Sequence, residues 1–147
     1  MHANDPGSFE WDPQLETGYD KIDGQHQQLF SAVKNIMDAS AGGKGDKVEM
    51  STLDFLTIYV VKHFNDEEQL QRDYEYPDYL NHKEIHDDFK ETVTELMELV
   101  NKTGPTGKII DDVCAVVRTW LLNHIKGDDF RMAAFVKDAD DKAMKIA

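Results

Sequence analysis

Four stretches of this chain repeat their apolar residues at alternating steps of three and four, and that spacing limits the folds open to it. An α-helix turns through about 100° per residue, so such steps keep one face of the helix apolar. The first stretch runs from about Asp20 to Ala41 and places Ile22, His26, Leu29, Val33 and Ile36 on one stripe. The second, from about Asp46 to Tyr74, places Leu53, Leu56, Val60, His63, Glu67 and Leu70. The third opens at Pro77, ends near Thr103-Gly104-Pro105, and places His82, His86, Phe89, Val93, Leu96 and Val100. The fourth, from about Lys108 to Lys126, places Ile110, Val113, Val117, Trp120 and His124. Glycine and proline punctuate the links, at Gly42-Gly43, Pro77, Gly104-Pro105 and Gly127. No stretch alternates with period two, so strands are not expected.

Four amphipathic helices with short links predict an all-α antiparallel up-down four-helix bundle. The chain reads as one domain over residues 1–147, with an N-terminal arm (1–19), the bundle (20–130) and a short C-terminal helix or tail (131–147). The arm holds Pro6, Gly7 and Pro13 with two aromatics, Phe9 and Trp11, and is expected to lie extended against the bundle.

Charge narrows the partners. Lys and Arg number 16 against 29 Asp and Glu, a net charge of −13, which argues against nucleic acid and anionic membranes. No apolar run approaches the ~20 residues of a membrane span. The start, MHANDPGSFEWD, has neither a basic beginning nor an apolar core, so no secretory signal is seen. Cys114 is the single cysteine, so no internal disulfide forms. A cytoplasmic location is expected.

The stripes carry an anomaly: five of the six histidines, and Glu67, occupy apolar faces. A carboxylate buried without compensation is very costly. Turn positions test whether these residues meet, because residues equidistant from a turn in an antiparallel hairpin sit level. His26 lies 17 residues before Gly43 and His63 lies 20 after it. Glu67 lies 8 before Glu75 and His82 lies 7 after it. His86 and His124 each lie 19 from Pro105. At ~1.5 Å per residue the worst mismatch is about one helical turn, so all six side chains converge on one layer. A second carboxylate is expected from Asp128 or Asp129. In a continued helix, Asp129 would stand about 140° off the His124 face. A left-handed turn at Gly127 is the expected device for curling the chain back. Spacing does not choose between the two aspartates.

Any one of these histidines, taken singly, reads as a structural core residue, and an HxxxH pair alone is a weak signal. The set is not. His2 fits no stripe and reads as a solvated terminal residue. Glu68 lies off the stripe and reads as a solvated charge. Cys114 reads as a small buried hydrophobe, and Tyr74, Tyr76 and Tyr79 as packing at a helix end. Asp23, Gln25, Glu84 and Asp87 stand near enough in sequence to support the histidines, without assignment.

Five imidazoles and two carboxylates exceed one tetrahedral zinc site and suit a pair of iron or manganese ions with bridging carboxylates. The pieces IDGQHQQLF, HFNDEE, YPDYLNHKEIH and WLLNHIKGDD, with the early WDPQLETGYDKID, resemble the hemerythrins, bacterial members included, over roughly residues 11–130. The resemblance implies a non-heme di-iron centre of two Fe ions with an oxo or hydroxo bridge. In it His82, His86 and His124 hold one iron, His26 and His63 the other, and Glu67 and Asp129 bridge them. It implies reversible O2 binding as a hydroperoxide at the open two-histidine iron, for transport, storage or sensing, with NO, azide and other small anions as further ligands. Helix geometry and the resemblance together point to an apolar O2 pocket of Leu29, Phe64, Leu121 and Ile125 with Trp120 beside it. No catalytic residue is expected, because the pocket offers no general acid or base. A di-iron redox enzyme of peroxidase or nitric oxide reductase type is the alternative. The chain is either free-standing or part of a larger chemoreceptor of the chemotaxis type.

Overall fold

The computed structural model describes residues 11–146. His2 and Phe9, placed above in solvent and in the arm, lie outside them. Helix α1 spans Asp20–Ala41, α2 Met50–Asp73, α3 Tyr79–Thr103, α4 Gly107–His124 and α5 Phe130–Ile146. No strand occurs among the described residues, and no helix there is long and apolar enough to cross a membrane. Helix α1 packs on α2 and α4, α2 on α3, and α3 on α4, which closes a four-helix bundle.

The helices end where local chemistry dictates. Asp23, in the first turn of α1, accepts hydrogen bonds from Thr17 N and Oγ1, both at 2.8 Å, and from Gly18 N at 3.1 Å. Gly18 has φ +85°, so the arm turns there before the helix begins. The Thr106 hydroxyl accepts from Ile109 N and caps α4. Helix α2 starts later than its periodicity suggested, because Gly45–Lys47 forms a separate 3-10 turn and Val48 is extended. At its far end, Tyr76 N donates to Gln71 O and Glu75 N to Arg72 O, with Glu75 at φ +54°. That pair of bonds is the Schellman closure, here built on a non-glycine left-handed residue.

The stripes meet in one core. Ile22, His26, Leu29, Val33 and Ile36 of α1 are all buried, as are Leu53, Leu56, Val60, His63 and Glu67 of α2. The α2 stripe then steps to Gln71, which is fully buried, while Leu70 is only partly so. The arm packs as expected: Leu15 is buried and Trp11 meets Phe30 edge-on at 5.3 Å. The C-terminal residues are a helix of 17 residues rather than a loose tail. Its Met132 and Val136 bury against Ile22, flanked by Tyr19, Leu70, Tyr74 and Tyr76. Tyr74 also donates from its hydroxyl to Asp140, at 2.5 Å.

One expectation fails at Gly127. The positive-φ glycines among the described residues are Gly18, Gly43 and Gly104, so no left-handed turn ends α4. Ile125–Asp129 instead forms a π-helical turn, with Phe130 N reaching Ile125 O, and α5 continues from it. An i→i+5 bond widens the turn, so residue i+5 returns close to the face of residue i. Asp129 is five residues after His124 and is thereby brought inward without any break in the helix.

Candidate metal centre

The structure brings together all seven residues expected as ligands. His26, His63, Glu67, His82, His86, His124 and Asp129 are all buried. Their ligand atoms fall into two overlapping groups. Glu67, His82, His86, His124 and Asp129 form one, and His26, His63, Glu67 and Asp129 form the other. Within each group the atoms lie within 4.8 Å of one another.

The carboxylates divide their oxygens between the groups. Glu67 Oε1 lies 3.3 Å from His82 Nε2 and 3.2 Å from His86 Nε2. Its other oxygen, Oε2, lies 2.9 Å from His63 Nε2 and 3.4 Å from His26 Nε2. Asp129 does the same: Oδ1 faces His82 at 3.2 Å and His124 at 3.1 Å, and Oδ2 faces His26 at 2.9 Å. His86 Nε2 and His124 Nε2 are 3.1 Å apart. Donor atoms set at right angles around a common ion, each ~2.1 Å away, would be about 3 Å apart, which is the spacing found.

Three of the ring nitrogens turned away from the centre, those of His63, His86 and His124, have their own partners, while His26 Nδ1 is buried without one. His63 Nδ1 donates to Gln25 Oε1 at 2.7 Å, and Gln25 Nε2 in turn donates to Asp66. His86 Nδ1 donates to Glu68 Oε2 at 2.9 Å, and His124 Nδ1 to Asp128 Oδ2 at 2.9 Å. Arg131 pairs with the other oxygen of Asp128. These bonds place the proton on Nδ1 and leave the Nε2 lone pair for the centre. Glu68 is therefore not the solvated charge its position off the stripe suggested: it is 4% exposed. Glu67 faces the bundle interior, and Glu68, about 100° further round the helix, faces α3 and His86. Gln25 is the supporting partner among the four candidates near the histidines. Asp23 secures the arm, Asp87 pairs with Lys83 and Lys90, and Glu84 is exposed. Asp128 and Glu68 were missed as partners. The signal for both was that a liganding imidazole is commonly held through an acceptor at Nδ1, and the residue beside each of the two carboxylates is acidic.

Electrostatics follow from this crowding. Burial pushes the His26 and His82 imidazoles down, but hydrogen bonds to Asp129 and Glu67 outweigh it and carry each up to about 9. His124 is also pushed down by burial, and the charge of Asp129 with the bond to Asp128 carries it up to about 10. Burial pushes Glu67 up, yet the His63 charge and the imidazole bonds hold it well below the usual carboxylate range. Asp129 is held low in the same way by His124 and His26, against burial and the like charge of Glu67. Two ionised carboxylates thus sit inside an apolar bundle, matched only by imidazoles. Such a layer invites cations.

Aromatic and aliphatic side chains wall the layer. Phe64 stacks on His86 at 3.9 Å and 4°, and Trp120 stacks on His124 at 4.3 Å and 17°. Leu29, Phe64, Leu121 and Ile125 are sealed in the core, while Trp120 is partly exposed. Trp120 and His124 also border an outer groove of about 570 Å³ whose walls include Ile85, Val116 and Asn123. Of the residues expected to line an apolar pocket, only Trp120 borders this groove.

Known proteins resemble this chain along most of its length. The family described as "Hemerythrin HHE cation binding domain" matches residues 17–136. A myohemerythrin of Theromyzon tessulatum is 32% identical over 126 residues, covering 86% of this chain and 92% of that protein. A hemerythrin-like protein of Naegleria gruberi is 32% identical over 131 residues, covering 89% and 96%. A bacteriohemerythrin of Pseudomonas aeruginosa is 31% identical over 119 residues, covering 81% and 75%.

Proposed function

We propose that this chain, which belongs to the hemerythrin family, holds two iron ions in its buried histidine–carboxylate layer and binds O2 there reversibly. The observation that carries the reading is the division of each carboxylate between two donor groups. The residues fit the ions on a second count. His26 Nε2, His82 Nε2 and both oxygens of Glu67 and of Asp129 are buried without a hydrogen bond of acceptable geometry. Atoms so placed are expensive unless something else binds them. Imidazole with carboxylate suits iron. His82, His86 and His124 would hold one ion, His26 and His63 the other, with Glu67 and Asp129 across both.

The two groups are unequal: five donor residues on one side, four on the other. The four-donor side, at His26 and His63, is the one we assign to O2. Iron(II) held by these residues would supply the electrons that reversible O2 binding requires. The chain's own residues do the rest. Glu68, Gln25 and Asp128 fix the imidazoles through Nδ1. Leu29, Phe64, Leu121 and Ile125 exclude water, so that protons do not displace the bound ligand. NO, and small anions such as azide, would enter the same place. Histidine-rich donors favour binding over O–O cleavage, since high-valent iron is stabilised better by carboxylates. The role is O2 transport, storage or sensing rather than catalysis, in the cytoplasm, either alone or within a larger chemoreceptor.

The test is anaerobic reduction of the iron-loaded protein followed by air, watched by visible absorption. The proposal expects a band that develops with O2, fades under argon and returns over repeated cycles. Immediate irreversible oxidation, or turnover of added peroxide or nitric oxide, would instead support the redox enzyme.

A further inference from the structure

Gln71 is a buried polar residue that neither the bundle nor the ligand set uses. It is fully buried, and neither its Nε2 nor its Oε1 has a hydrogen-bond partner in the protein. An amide in that condition is costly, and an apolar side chain of similar size would avoid the cost. Its position is specific. His63, Glu67 and Gln71 recur at steps of four on α2, so Gln71 lies on the ligand face one turn beyond Glu67. At that same end of the layer, Ile22 is one turn from His26 and Met132 is three residues past Asp129, and these two belong to one buried apolar cluster. Gln71 therefore stands at the closed floor of the site. Glu67 is one turn away on the same helix, and the oxygens of Glu67 and of Asp129, like His82 Nε2, are buried without hydrogen-bond partners.

We propose that Gln71 is a positioning residue of the centre, holding a buried water beneath Glu67 and Asp129. The water accepts from the carboxamide N–H and donates to one oxygen of each carboxylate, three bonds that match what buried waters ordinarily make. It orients the two bridges from below, as Glu68 and Gln25 orient imidazoles from the sides. Outer partners of this kind change metal affinity by about 10- to 100-fold when removed.

This inference rests on the metal-binding reading above, and zinc(II) as a probe separates the two. Wild type, Gln71→Leu and Gln71→Met are titrated with zinc(II) against a chromophoric chelator, and their metal-free forms are melted. The expected result is about 10- to 100-fold weaker zinc binding with a metal-free melting temperature equal to or above wild type. A side chain that only packs would not weaken binding while sparing the metal-free fold. Wild type binding two zinc ions, with both variants matching it, overturns this inference alone. Wild type binding none overturns the metal-binding reading as well. Side-chain ¹⁵N spectra of zinc-loaded wild type need no variant: a Gln71 amide with a contact to a long-lived water supports the proposal, and one without it refutes it.

Discussion

Replacing Glu68 tests whether the imidazoles are held from outside the centre. Its Oε2 accepts from His86 Nδ1 at 2.9 Å, and both groups are buried. Glu68→Leu removes the acceptor and leaves a buried N–H unpaired, at about 1–3 kcal/mol. With 1.4 kcal/mol to each factor of ten, metal affinity on the three-histidine side should fall by about 5- to 150-fold. That range brackets the ~10- to 100-fold usual for outer partners of metal ligands. Phe64, stacked on the same ring, keeps His86 from swinging far, so the ligand is weakened rather than lost. Glu68→Gln retains an acceptor oxygen but not the charge, and should lose less than about tenfold, since a neutral bond supplies roughly half of a charged one. Glu84→Leu, on the exposed face of α3, serves as the control and should bind as wild type. Iron(II) titrations against a chelator, run anaerobically, measure all three. If Glu68→Leu binds both ions as tightly as wild type, the tethering argument is wrong.

Other consequences follow from the same structure. Leu121→Ala opens a void in a fully packed wall and should cost about 2.7–5 kcal/mol, lowering the melting temperature by several degrees. By admitting water it should also speed autoxidation of the oxygenated protein; an unchanged rate would refute the pocket assignment. Glu75→Gly relieves a left-handed residue at the end of α2 and should stabilise by about 0.5–1 kcal/mol, read as a rise of roughly 1–4 °C in melting temperature. In the metal-free protein, His26, His82 and His124 stand at about 9, 9 and 10 against an ordinary 6.5. Their contribution to stability is fully present below pH 6.5 and is lost as pH rises through 9 to 10. Glu67 and Asp129, held low, contribute in the opposite sense and lose it in acid. Melting temperatures of metal-free protein should therefore fall between pH 6.5 and 10, and metal loading at pH 7 should release protons. A flat alkaline profile would contradict the arrangement of charges.

The ligand layer was legible because helix periodicity and distance from a turn are both properties of sequence spacing. His26 with His63, and His86 with His124, were level by counting, and they meet in space. What escaped was local deviation from that regularity. Periodicity assumes 100° per residue, so it put Asp129 on the wrong face and looked to Gly127 for a break; one π turn corrects the angle with the helix intact. Glu68 and Gln71 escaped for a related reason. A stripe records which face looks inward, and Glu68 is buried in the seam between α2 and α3 rather than on the stripe. At Gln71 the step is four instead of three, so Leu70 took its place in the pattern. The length of α5 was obscured by its many charges, which occupy an outer face, while Met132 and Val136 anchor the inner one.

The central claim is that two ions share Glu67 and Asp129. Anomalous diffraction at the iron edge, from crystals of iron-loaded protein, addresses it without reference to activity. The account predicts two peaks per chain between those carboxylates, one beside His82, His86 and His124 and one beside His26 and His63. A single peak, or iron bound outside this layer, would contradict it.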